Sequence, residues 1–312
     1  MSPGGLLVVA TALANIGLAV VVGALVSQEW LERAGPSTWA ERRAARAASL
    51  GRLAAAWALV STLLVLWTQS AAIAETPFVY ALPAVAAVVA QTHFGHAFMV
   101  VVAALLALLV LSLRAARPRA GGARVAAWLC VGFALTARAD AGHAGATATV
   151  LPVAIDALHL FSTCLWSGCV IAAALIALGG TAPADALDRS AASRYIATLS
   201  RAATWALGVV VATGAYNSFI GLGGSWPAIS TSAYGAIWSV KVALVAVAVG
   251  LGALNRWRSM PRLLAGMRSP AAPIERELAR FRAVARIEAG VLLAVLVAAA
   301  ALSTSAPVGG PG

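Results

Sequence analysis

Of 312 residues, 61% are hydrophobic and only 11% charged, whereas a soluble domain of this size carries about 25% charged residues to cover its surface. That balance excludes a water-coated globule and makes lipid the solvent for much of the surface. The net charge of +11 does not point to nucleic acid, because the basic residues are segregated along the chain. Of 22 Lys and Arg, five lie in 33–52, four in 114–124, three in 189–201 and eight in 256–286, leaving only Arg138 and Lys241. Basic clusters separated by apolar stretches are the pattern that assigns the clusters to the cytoplasmic side of a membrane.

In chain order, the first apolar stretch, 5–28, lacks the basic leader of a cleaved signal peptide and is long enough to span. It reads as a retained first helix with its N-terminus outside. Further spans are expected at 51–73, 91–113, 124–143, 152–178, 200–221, 233–254 and 284–304. Eight crossings place the four basic clusters after helices one, three, five and seven, all on one face. The expectation is an all-α polytopic membrane helix bundle of about eight transmembrane helices, one transmembrane domain over 1–312, with N- and C-termini periplasmic.

Two connections stand out. Glu75, Thr76, Pro77 and Pro83 interrupt the apolar run before the third span and predict a short outer-surface element over about 78–90. The connection 255–283 contains Pro261, Pro270 and Pro273 and leads into the amphipathic stretch IERELARFRAVAR. That stretch is expected to lie along the anionic inner leaflet, or else to dock a partner.

The four histidines carry most of the chemical information. His93 and His96 fall at the outer end of the third span, His143 at the outer end of the fourth or just after it, and His159 about two turns inside the fifth. His93 and His96 are three apart and share a helix face, with Met99 three further on. Asp140 precedes His143, and Asp156 precedes His159, by the same interval. A carboxylate beside an imidazole fixes its tautomer, a common arrangement around metal ligands. Imidazole and thioether suit copper; imidazole alone also suits zinc, nickel or haem iron. A single histidine at a helix end is as readily an interfacial residue with a hydrogen bond. Four on one side, with ionisable groups costly in lipid, favour a metal or cofactor site over His93, His96, His143, His159, Met99 and Asp156.

Other polar positions have two readings each. Lys241 sits at a depth similar to His159 and either pairs with Asp156 or snorkels to the outer headgroups. Glu288, near the inner end of the last span, is expected to pair with neighbouring arginines. Cys164 and Cys169 flank Trp166 and Gly168 deeper in the fifth span, either as soft ligands for passing Cu(I) inward or as small hydrophobes. Cys130 reads as packing. No phosphate-cradling loop, Ser-His-Asp order or Cys-x-x-Cys pair occurs, and no enzymatic chemistry is expected.

Four segments resemble the copper resistance protein D (CopD) family of bacterial inner-membrane proteins. AIDALHLFSTCLWSGCV is similar to its Asp-x-x-His-Leu and Trp-x-Gly-Gly helix, TSAYGAIWSVKVALVAVAVGLGALNR to its Tyr-Gly…Lys helix with a following Asn-Arg, ARADAGHAGA to its Gly-His-Ala turn, and AVARIEAGVLLAVLVAAAALSTSAP to its Glu-bearing final helix. The similarity covers roughly 90–307. It implies a copper ion, Cu(I) or Cu(II), handled at or across the inner membrane, often beside a periplasmic copper-binding protein of the CopC type. The family's histidines correspond best to His143 and His159. Cys169 replaces the second Gly of the Trp-x-Gly-Gly pattern, Asn15 stands where many relatives have a histidine, and no CopC-like domain or Met-rich tail is present.

The combined reading is a multi-pass protein that takes copper at the periplasmic face and moves it toward the cytoplasm. One alternative is a b-type haem membrane redox protein. A second is a copper-receiving assembly or sensor protein without transport.

Overall fold

The computed structural model describes residues 3–114, 121–142, 149–177, 180–224, 226–269 and 273–305. The described residues form helices and connecting turns, with no strand. The order is α1 (Pro3–Glu32), α2 (Thr38–Ile73), a 3-10 turn (Phe78–Tyr80), α3 (Leu82–Gln91), α4 (His93–Arg114), α5 (Gly121–Asp140), α6 (Val150–Ala172), α7 (Ala186–Gly221), α8 (Ala228–Thr231), α9 (Ala233–Leu254), α10 (Met260–Arg268) and α11 (Glu275–Ser303). A π-helical segment, Ala173–Ala177, follows α6, and another, Asn255–Ser259, joins α9 to α10.

Seven helices among the described residues are long and apolar enough to cross a membrane. The expected fourth span is the 20-residue helix α5, whose mean hydropathy is lowered by Arg124 and Arg138. The protein is thus a polytopic all-α membrane bundle. Helices α1 and α6 are the most deeply enclosed of the spans; α1 packs against α2, α6 and α11, and α6 against α1, α5, α7 and α11. With no hydrophobic drive between helices in lipid, close association depends on small residues that let backbones meet. A Cβ on Gly168 would overlap the Ala19 carbonyl and stand 2.9 Å from the Gly23 nitrogen. A Cβ on Gly23 would in turn overlap the Gly168 carbonyl. Gly17 does the same on the other side of α1, where a Cβ would sit 2.9 Å from Ala58 Cα.

Several helices outrun the membrane. At 36 residues each, α2 and α7 extend about 54 Å at 1.5 Å per residue, against a hydrocarbon core of about 30 Å. The spans expected from 51 and 200 therefore begin as helix at Thr38 and Ala186. The reason is local. Ser37 caps α2, its hydroxyl accepting from the Ala40 nitrogen at 3.1 Å, and Asp185 caps α7 through the Asp188 nitrogen at 2.8 Å. The Ala- and Arg-rich first turns that follow are good helix formers.

These extensions meet in a packed cap. Asp188, 2% exposed, accepts from the Ser37 hydroxyl (2.7 Å) and the Trp39 nitrogen (3.0 Å), tying α7 to α2. Arg43 lies over the Trp39 ring and donates to the Thr181 carbonyl at 2.8 Å. Arg124 donates to Glu32 at 3.0 Å, Arg194 to the Ala34 carbonyl through Nε at 2.9 Å, and Arg189 to the Ser269 carbonyl at 2.8 Å. All four basic segments thus converge at one end of the bundle. Between α1 and α2 the chain turns at Gly35, whose φ of +87° lies in the left-handed region that favours glycine.

One expectation is corrected here. The stretch IERELARFRAVAR does not form a separate helix along a leaflet: Glu275–Ser303 is one continuous helix, and Leu278, Phe281 and Ala285 are buried in the main core with Leu263 and Met267 of α10. The apolar face that suggested lipid contact is used by the protein itself.

Gly168→Ala should lower stability by about 1–3 kcal/mol through overpacking of the α1–α6 crossing. Gly250→Ala, where a Cβ meets nothing within 4 Å, should leave stability unchanged. Thermal melts of the detergent-purified variants followed by size-exclusion chromatography measure both.

Candidate functional site

At the end opposite the basic segments, α5, α6, α7 and α9 bring together a polar cluster inside an otherwise apolar bundle. Asp156 and His159 come from α6, Thr213 and Asn217 from α7, Arg138 from the end of α5, and Tyr234 and Lys241 from α9. Asn217 Nδ2 donates to Asp156 Oδ1 at 2.8 Å. The same carboxylate interacts electrostatically with Arg138, Lys241 and Tyr234. Arg138 also lies over the Phe98 ring of α4, 5.5 Å from its centroid, and Phe98 pairs with Phe94 at 4.4 Å. Ionisable groups at this depth are costly unless they face partners, and one carboxylate here serves two cations from neighbouring helices.

The His159 ring is oriented from α7. Its Nδ1 lies 2.9 Å from Thr213 Oγ1, and Gly214 leaves room for the ring, since a Cβ there would be 3.1 Å from His159 Cε1. Thr213 donates its own proton to the Val209 carbonyl at 2.6 Å. Its oxygen can therefore only accept from the imidazole, which assigns the ring proton to Nδ1 and leaves the Nε2 lone pair available. The spacing of Asp156 and His159 suggested the carboxylate as the partner that fixes this tautomer; at Nδ1 the structure uses the Thr213 hydroxyl instead.

A second oriented imidazole lies at the same end. His93 Nε2 is 3.0 Å from Asp140 Oδ2, joining the start of α4 to the end of α5. The carboxylate accepts the Nε2 proton, and in the neutral ring Nδ1 keeps a lone pair. The His93 side chain is 65% exposed, so this nitrogen is accessible from outside the bundle. Spacing alone placed Asp140 beside His143; in the structure its carboxylate reaches across to His93. His143 lies outside the described residues.

His96 and Met99 are exposed on α4. Cys164, Cys169 and Trp166 are buried in α6, with Cys169 donating to the Trp166 carbonyl at 3.3 Å. Among the described residues no group of three or more His, Cys, Asp and Glu gathers as a metal-holding set. Glu288 makes no ion pair among the described residues; it is 6% exposed, turned into the bundle toward Gly252 of α9 and away from the neighbouring arginines. Thr213 and Asn217 were missed in the sequence, although two polar residues four apart in WALGVVVATGAYNSFIG put both on one face of the helix.

Asp156→Leu should destabilise the protein by about 1–3 kcal/mol by stranding its charged partners. Adding Lys241→Met should recover part of that loss in the same thermal melt, because one stranded charge goes with it.

Two family models match the chain: Copper resistance protein D over residues 190–302, and Copper resistance protein D-like, N-terminal domain, over residues 1–153. No curated protein and no solved structure matches it.

Proposed function

We propose that this chain, which belongs to the copper resistance protein D family, receives copper at its histidine-bearing end and passes it toward its basic end. By the charge rule the basic end is cytoplasmic and the histidine end periplasmic, so the direction is import across the bacterial inner membrane. Copper is the cargo, and a periplasmic copper-binding protein of the CopC type is its donor.

The observation that carries this reading is the pair of oriented imidazoles. His93, held by Asp140, and His159, held by Thr213, each keep one ring nitrogen free for a metal while the other is fixed. A ligand fixed through its second nitrogen loses less freedom on coordination and binds more tightly. His143, three residues after Asp140 in the sequence, completes the proposed ligand set, and His96 and Met99 offer an exposed approach along α4. Asp156 assists by offsetting part of the positive charge of Lys241 and Arg138 beside an incoming cation.

Elemental analysis and a visible spectrum of detergent-purified protein test the reading. Copper should be retained by the wild type without a Soret band, and His159→Ala or His93→Ala should lower the copper content and weaken its binding. Thr213→Val and Asp140→Asn should weaken binding about 10–100-fold, the usual effect of removing a partner of a ligand, whereas Thr213→Ser should restore it. Wild-type copper content in every histidine variant would remove the assignment, and a Soret band would replace it with b-type haem. Copper uptake by loaded liposomes then separates transport from simple receipt.

A further inference from the structure

Three features left over from the outer site lie on packed helices in the other half of the bundle. They are the cysteine that departs from the Trp-x-Gly-Gly pattern, the Asn of the Asn-Arg pair after α9, and the glutamate of the last helix. Cys169 on α6 is fully buried, and α6 packs directly against α11, which carries Glu288. Glu288 is 6% exposed, and its Oε1 faces Gly252 on α9, where a Cβ would stand 3.0 Å away. Three residues further along the same chain, Asn255 is 6% exposed; its Nδ2 reaches the Phe281 carbonyl at 3.5 Å, while its Oδ1 is buried with no hydrogen-bond partner among the described residues.

The chemistry of this group is one-sided. A thiol sulfur, a carboxylate and an orphaned amide oxygen are all electron-pair donors, drawn from three different helices. A buried acceptor without a donor is destabilising, and a buried carboxylate in a membrane bundle more so. A cation supplies what both lack. The backbone is also irregular on two of the three sides: one π-helical segment starts four residues after Cys169 and the other starts at Asn255 itself. Such segments inside helices frequently mark functional sites.

We propose that Cys169, Glu288 and Asn255 form an inner cation station, and that its ligand is the copper ion travelling from the outer histidines. This rests on the copper reading above. Copper binds Cys169 as the thiolate, so the proton now donated to the Trp166 carbonyl is released as the Cu–S bond forms, and no change of oxidation state is required. A thiolate with one carboxylate and one amide oxygen suits Cu(I) at its sulfur and leaves the metal loosely held elsewhere, as transit demands.

The test is anaerobic Cu(I) titration of the full-length protein in detergent against a chromophoric chelator, with X-ray absorption to detect sulfur. A His93→Ala, His159→Ala variant should still bind copper with a sulfur neighbour. In that background Cys169→Ser and Glu288→Gln, both close in shape to the native residues, should each weaken binding at least tenfold. Asn255→Asp should tighten it, which a folding defect cannot mimic. Loss of all copper in the histidine variant, or retained copper without sulfur, overturns the inner station and leaves the outer reading intact. Sulfur-ligated copper in the inner station together with unchanged affinity in the histidine variant overturns the outer reading instead. A wild type that binds no copper overturns both.

Discussion

The crossing of α1 and α6 at Gly23 and Gly168 is the contact on which the arrangement depends. In lipid, helices gain nothing from hiding apolar surface from one another, so association rests on how closely their backbones approach. Here the approach leaves no room for a single methyl group. It puts α6 at the centre of the bundle, where α5, α7 and α11 can pack around it. Every group assigned a role on α6, from Asp156 and His159 at one end to Cys169 at the other, takes its neighbours from that central position. The glycine of the Trp-x-Gly pattern is therefore an architectural residue, and the cysteine beside it is carried into the core as a consequence.

The two ends of the bundle solve different problems. The histidine end gives its polar side chains partners on other helices: Asp156 with Asn217, His159 with Thr213, Asp140 with His93. The basic end has water available and spends its polar groups on joining helices, with arginines closing onto backbone carbonyls and Asp188 bonded to the start of α2. At that second end Leu263, Met267, Ile274 and Leu278 extend the main core.

Class, membrane character and the convergence of the basic segments could be read from the sequence because they follow from composition and charge position, which do not depend on packing. Helix lengths were not readable at the basic end: arginine-rich segments such as ERRAARAASLGR look like loops on a hydropathy scale yet are capped, alanine-rich and helical. The amphipathic stretch before the last span was recognised for its two faces, but which surface receives the apolar face is a tertiary fact. The partners in the candidate site were misread for the same reason. Spacing along one helix pairs Asp156 with His159 and Asp140 with His143, whereas the partners of His159 Nδ1 and Asp140 come from other helices, at Thr213 and His93. Glu288 illustrates the opposite error, since arginines nearby in sequence do not share its side of the helix.

The length of α7 has a mechanical meaning. It is one uninterrupted helix of 36 residues, carrying Thr213 and Asn217 near one end and Asp188, Arg189 and Arg194 near the other. A rod of about 54 Å that tilts by roughly 5° carries one end about 5 Å relative to the other. The hydroxyl that aligns an imidazole and the carboxylate that anchors the cap are therefore fixed to the same lever. Any rearrangement that rocks this helix displaces both together, so occupancy at one face and grip at the other are not independent variables.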